Sequence, residues 1–313
     1  IGYPLRMAHG DDPRLLPPFP GPSRIGTRMP ETRPISPIPR QIEQGIERLS
    51  TLLGRGPVAV LSGAGLSTAS GIPAYRDRHG QWQHSQPIQH QDFLRSEAVR
   101  QRYWARSFAG WASMALASPA AGHRALTRME ERGIVSAVVT QNVDGLHQKA
   151  GSRSVIELHG GIDRVLCLAC GERFPRASVQ HWLAAANPEF TAGATQPAPD
   201  GDAQLPDAAA ADFRIPGCPS CSGTLKPDVV FFGDSVPRER VAAAKQSIDA
   251  ARALLVVGSS LMVYSGFRLV DHARQRGLLV AAINQGATRA DHLLDLKIEA
   301  DCGEVLERLL GRT

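Results

Sequence analysis

Apolar positions repeat along this chain on two periods, and the switch between them outlines the elements. From Gln41, the residues Ile42, Ile46, Leu49 and Leu53 fall near helical spacing, and Gly54 and Gly56 end that helix. Val58 to Leu61 is a short continuous apolar run before a glycine-rich loop, the pattern of a strand buried on both faces. Similar runs recur at Val135–Val139, Val229–Phe232, Leu254–Val257 and Leu278–Ile283, with helical stretches such as Glu239–Ala250 and Gly266–Arg276 between several of them. Strands alternating with helices predict an α/β fold, a doubly wound, Rossmann-like parallel sheet covered on both faces, whose ligands bind at the carboxyl ends of the strands.

Two segments break the rhythm and predict a second, smaller domain. Residues 78–125 read as its helical part, and residues 160–226, which carry four paired cysteines, as a zinc-binding module. Within that module, residues 191–211 are rich in Ala, Pro, Gly and Asp and read as a surface loop. The Rossmann-like domain is then assembled from 41–77, 126–159 and 227–313. Residues 1–40 hold many prolines and arginines; proline fixes φ and lacks a backbone donor, so this stretch is expected to be an extended arm.

Composition narrows the partners. The 313 residues carry a formal charge of +5 with no dense Lys/Arg block, which argues against a nucleic-acid surface. No run of about 18 apolar residues suggests a membrane span. Five cysteines, an odd number, point away from a disulfide framework and toward metal in a reducing compartment.

Polar and glycine-rich motifs follow the strands. Gly63-Ala64-Gly65-Leu66-Ser67 would let backbone approach a phosphate; a tight strand–helix turn is the alternative. Its spacing departs from G-x-G-x-x-G, and no acidic ribose-reading residue closes the second strand, so an ordinary dehydrogenase is disfavoured. Arg76, in Gly71-Ile72-Pro73-Ala74-Tyr75-Arg76, would pair with phosphate or carboxylate, or be a solvated loop arginine. Gln141, Asn142 and Asp144, in the run Thr140 to His147, can hydrogen-bond ribose hydroxyls and a carboxamide, or cap a turn. His159, between a short apolar strand and two glycines, sits in a sterically open place suited to a general base. Gly258-Ser259-Ser260, Asn284-Gln285-Gly286 and Cys302 place small and polar groups along one sheet edge. Cys167-x2-Cys170 and Cys218-x2-Cys221 supply a tetrahedral four-thiolate zinc site with no open position, hence structural; disulfides are the alternative.

Taken together, GAGLS, GIPAYR, TQNVDGLH, ELHG, the paired CxxC, KPDVVFFGD, VGSSLMV and INQG resemble the sirtuin family from about Gln41 to Leu310, and PIQHQDFLRSEAVRQRYWAR with the long cysteine insert resembles its class II. The resemblance implies an NAD-dependent protein-lysine deacylase that binds NAD as co-substrate and one structural Zn2+, and yields nicotinamide, free lysine and O-acyl-ADP-ribose. Protein ADP-ribosylation, or a non-catalytic NAD sensor, are the alternatives. Ala64, Gly65, Tyr75 and Arg76 would lie against NAD. Gln141, Asn142 and Asp144 would hold the nicotinamide ribose and carboxamide, with Asn142 also catalytic. His159 would be the general base, and Ser259, Asn284 and Cys302 would line the adenosine half. Val229 and Phe231 would border the acyl-lysine tunnel. Many family members have Asp and Phe where this chain has Ala74 and Tyr75. Tyr103 and Arg106, one helical turn apart, resemble the acidic-acyl reader of another sirtuin class, or belong to an amphipathic helix. A monomer in the bacterial cytoplasm, or alternatively in the mitochondrial matrix, acting on acylated lysine peptides without nucleic acid or membrane, completes the expectation.

Overall fold

A computed structural model describes residues 39–77, 81, 83, 87–191, 198, 200–203 and 205–313. The arm expected at residues 1–40 lies, apart from Pro39 and Arg40, outside the described residues. Contacts divide the chain at Pro37, and all the described elements lie in the unit from Ile38 to Thr313.

The apolar runs become a six-stranded parallel sheet: β1 (Val58–Ser62), β2 (Val135–Thr140) and β3 (Val155–Glu157) on one side, and β7 (Ala253–Val257), β8 (Leu279–Ile283) and β9 (Leu296–Ile298) on the other, in the order β3-β2-β1-β7-β8-β9. The pleat sends alternate residues to opposite faces, and both faces are covered. Val58, Val60 and Leu255 pack under α1 (Arg40–Leu53), α4 (Ala121–Glu131) and α9 (Cys302–Leu310). Ala59, Leu61 and Leu254 pack under α7 (Arg238–Asp249) and α8 (Tyr264–Gln275). This two-sided burial is why the strands read as unbroken apolar runs instead of alternating ones. Five residues, Leu146–Ala150, form α5 after β2.

The smaller lobe has α2 (His90–Arg95) and α3 (Glu97–Leu116), then β4 (Gly160–Cys167), β5 (Arg173–Pro175), α6 (Arg176–Ala186) and β6 (Leu225–Val229). Ser96 caps α3 by accepting from the Val99 amide at 3.3 Å. Its strands form an antiparallel sheet ordered β5-β4-β6 over a core of Phe93, Trp104, Leu183 and Phe213.

Three expectations are corrected. The run Val229–Phe232 is not a parallel strand: Leu225–Val229 pairs antiparallel with β4 in the small sheet, because a short apolar run carries no information about which sheet it joins. The helical part of the small domain ends with α3 at Leu116, since α4 begins at Ala121 and buries Ala125, Leu126 and Met129 against the large sheet. Residues 198 and 200–203 are more than a surface loop. Ala198, Asp202 and Ala203 are buried, the Ala203 amide donates to the Arg106 carbonyl at 3.0 Å, and Gly201 lies so close to Gly110 of α3 that a Cβ there would sit 2.2 Å from the Gly201 carbonyl oxygen.

Candidate active site

The sheet reverses direction of winding between β1 and β7, and a cleft of about 670 Å³ opens at their carboxyl ends. The Gly63 amide donates to the Val257 carbonyl (3.0 Å) and the Gly65 amide to the Gly258 carbonyl (2.8 Å), joining the two loops. Side chains are excluded at this seam. A Cβ on Gly65 would fall 2.9 Å from the Gly258 oxygen, and Gly258 itself has φ +61°. The result is a floor of bare backbone on which a phosphate or sugar can rest.

Polar side chains stand around that floor. Asn142 donates to the Gly63 carbonyl (3.1 Å) and to Ser67 Oγ (3.0 Å), and Ser67 donates to Asp144 Oδ2 (2.7 Å). Asp144 Oδ1 accepts from the Leu146 amide, so this carboxylate organises the loop as well as facing the cleft. Gln141 donates to Ser259 Oγ at 2.8 Å, tying the β2 loop to the β7 loop. Cys302 begins α9, buried, with its thiol directed at the Ile283 carbonyl (3.4 Å); burial, with Asp301 nearby, pushes that thiol up to about 12, so it is a small neutral wall. Gly63, Ala64, Gly65, Ser67, Tyr75, Arg76, Gln141, Asn142, Asp144, His159, Val229, Phe231, Gly258, Ser259, Ser260, Asn284, Gln285 and Cys302 all line this one cleft.

His159 follows β3, half-buried, with Gly160 at φ +84° turning the chain into β4. Nδ1 lies 2.8 Å from the Gln141 carbonyl oxygen and Nε2 lies 2.7 Å from Ser265 Oγ. A carbonyl can only accept, so Nδ1 carries the proton and Nε2 presents its lone pair. Burial holds the imidazole below its ordinary range; the bond to Gln141 opposes this, and Arg268 and Arg240 add to it. The ring is therefore a neutral base near pH 7.

Tyr103 and Arg106 do not line the cleft. Tyr103, 5% exposed, packs edge-on to Phe93 and lies 5.2 Å from Phe231, whose ring reaches the cleft. Arg106 stands against the buried insert, where Asp202 feels both Arg106 and Arg176. The helical spacing that brings Tyr103 and Arg106 onto one face says nothing of an insert some hundred residues later that covers it. Ser265 and Arg268, which do line the cleft, were missed by sequence reasoning. They lie in the first turns of an amphipathic helix, where Ser and Arg are ordinary residues, and no local pattern marks them.

In the small lobe, Cys167, Cys170, Cys218 and Cys221 place their sulfurs within 4.8 Å of one another, with 3.5 Å between Cys167 and Cys221 and 3.8 Å between Cys170 and Cys218. Four thiolates at about 2.3 Å from a zinc ion stand about 3.8 Å apart, so the set fits a tetrahedral ion. These separations are far beyond an S–S bond, and all five cysteines are free.

A family model described as Sir2 family matches residues 63–265. The chain is 53% identical over 252 residues to a protein of Bordetella bronchiseptica named NAD-dependent protein deacetylase, covering 80% of this chain and 92% of that one. It is 49% identical over 272 residues to a Drosophila melanogaster protein named NAD-dependent protein deacylase Sirt4, covering 86% and 87%. Among solved structures, one described as Sir2 with a p53 peptide and NAD+ superposes with a TM-score of 0.67 at 28% identity, over 85% of this chain and 97% of that one.

Proposed function

The chain belongs to the Sir2 family, and on that premise we propose that it removes acyl groups from protein lysines at the expense of NAD, with the cleft between β1 and β7 as its active site. The observation that carries this is His159: a neutral imidazole in a cleft floored by backbone and walled by amides, its Nε2 on the hydroxyl of Ser265, which lines the same cleft.

The bare amide floor at Gly63–Gly65 and Gly258 suits the diphosphate of NAD, and Ser259, Asn284 and Cys302 suit its adenosine half. NAD would supply an electrophilic ribose carbon and the ribose hydroxyl, and the acyl-lysine its carbonyl oxygen; binding, orientation and proton acceptance come from the chain. Gln141, Asn142 and Asp144 hold the nicotinamide ribose and carboxamide. Val229 and Phe231 border the acyl-lysine, whose peptide backbone adds beside the extended segments flanking the cleft. His159 Nε2 takes a proton from a ribose hydroxyl, and the surrounding walls orient both substrates and keep out competing water. The four cysteines hold one Zn2+ that braces the small lobe and takes no part in proton transfer. The bacterial relatives favour a bacterial source.

The test is product analysis by mass spectrometry with NAD and acetyl-, glutaryl- and methylglutaryl-lysine peptides. Nicotinamide, deacylated peptide and O-acyl-ADP-ribose should appear in equal amounts. His159→Ala should lower their formation by about 10²- to 10⁴-fold. Label from NAD retained on protein, without O-acyl-ADP-ribose, would replace deacylation with ADP-ribosyl transfer.

A further inference from the structure

We propose that Ser265 relays the proton to the general base: its hydroxyl donates to His159 Nε2, passes that proton to the imidazole as its own oxygen takes the one from the ribose hydroxyl, and then accepts the new N–H. The inference rests on the deacylase reading and adds to it a residue from α8.

The geometry is specific. Ser265 is the second residue of α8, and its Oγ lies 2.7 Å from Nε2. The next residue, Gly266, is seated directly on Gln141; a Cβ there would come within 2.4 Å of the Gln141 side-chain oxygen. The first turn of α8 is thus pressed onto the two residues that flank the imidazole. With Nδ1 donating to the Gln141 carbonyl, the ring is held at both nitrogens, and a flipped ring would offer carbon to both partners. A hydroxyl suits this place because it is donor and acceptor in one rotatable group. It donates to the neutral ring and, once that proton has passed, accepts from the protonated one.

The surroundings make that second role matter. The charged groups facing the imidazole are Arg268, one turn along α8, and Arg240 from α7, and both are cationic. Arg240 is partly balanced by Asp228 at 3.1 Å. The amino end of α8 adds positive potential. Each of these opposes an imidazolium, and the Ser265 lone pairs are the groups at Nε2 that favour it. Accepting from a charged N–H is the stronger of the two bonds, so loss of the hydroxyl penalises the protonated ring more than the neutral one.

Three measurements on the full chain test this with Ser265→Ala and Ser265→Thr. Exchange of labelled nicotinamide into NAD, with an acetyl-lysine peptide present, reads the step before the base acts; it should stay within about twofold of wild type in both variants. Formation of O-acetyl-ADP-ribose should fall about tenfold in Ser265→Ala, the loss expected for one such bond, and return in Ser265→Thr. The acid limb of its pH profile, and the His159 midpoint followed by NMR in the free protein, should move to lower pH in Ser265→Ala alone. Equal losses in exchange and product formation, with an unmoved His159 midpoint, would show a merely structural serine and overturn the proposal. So would a Ser265→Ala enzyme indistinguishable from wild type. If wild type itself forms no O-acetyl-ADP-ribose, the deacylase reading falls and this one with it. Matched thermal unfolding of the three proteins excludes misfolding as the cause.

Discussion

Gly258 shows how one missing side chain can serve fold and site together. Its φ of +61° is costly for any L side chain, and an added Cβ would meet the Leu66 amide nitrogen at 2.4 Å. Gly277 has a similar φ of +72° with nothing within 4 Å of the added atom. Gly277→Ala should therefore cost only the backbone term, about 1 kcal/mol, while Gly258→Ala should cost about 2–3 kcal/mol and also displace the Gly65 loop. Urea midpoints separate the two, and calorimetric NAD titration should show weakened binding for Gly258→Ala alone. Much of this site was legible residue by residue: glycines and short amides after apolar runs have few reasons to cluster other than backbone approach and polar recognition. The partner of His159 was not. Ser265 reaches it across 106 positions of sequence, and such a contact is fixed by where α8 docks, which no local pattern states.

At the scale of elements, the apolar runs foretold their strands well because a strand buried on both faces must be apolar throughout. They failed at Val229–Phe232, where the same composition served an antiparallel sheet. The insert was also under-read. Its Ala, Gly and Pro content looks like a loop, yet small residues are what lets Gly201 and Ala203 lie against α3. Arg106, whose spacing from Tyr103 suits either an acidic-acyl reader or an amphipathic helix, is held at this contact beside Asp202. Burial first, then Asp200, push the Asp202 carboxyl well above the usual carboxylate range, while Arg106 and Arg176 oppose the rise. Gly110→Ala should pry the insert from α3, lower stability by about 1–3 kcal/mol, and make residues 191–211 cut faster by protease. Unchanged proteolysis would mean that the insert is not held by this contact.

For the whole molecule, acid sensitivity is built into a buried histidine pair. His123 of α4 and His147 of α5 meet edge-on at 5.0 Å, with His147 Nε2 bonded to Ser62 Oγ at 2.8 Å. Burial lowers His123 to about 4 and His147 to about 3, with Asp144 opposing the shift in His123 and His123 adding to it in His147. Unfolded histidines titrate near 6.5, so below that pH the unfolded chain binds protons that the folded one refuses. Stability is thus complete above about pH 6.5 and falls as pH drops toward 4, by up to about 1.4 kcal/mol per pH unit for each ring. Urea unfolding at pH 7 and pH 5 should show this drop, and His123→Gln should reduce it by about half.

The segment of the small lobe from β4 to β6 leaves and rejoins the large domain at one point: the Val230 amide donates to the His159 carbonyl at 2.9 Å, so its two stems touch where it begins and ends. A segment stitched shut at its own root can be lengthened, shortened or exchanged between relatives without unpicking the strands beneath. Its anchorage is the backbone of His159, the proposed proton acceptor. A tilt of that segment bears directly on the residue that carries this imidazole.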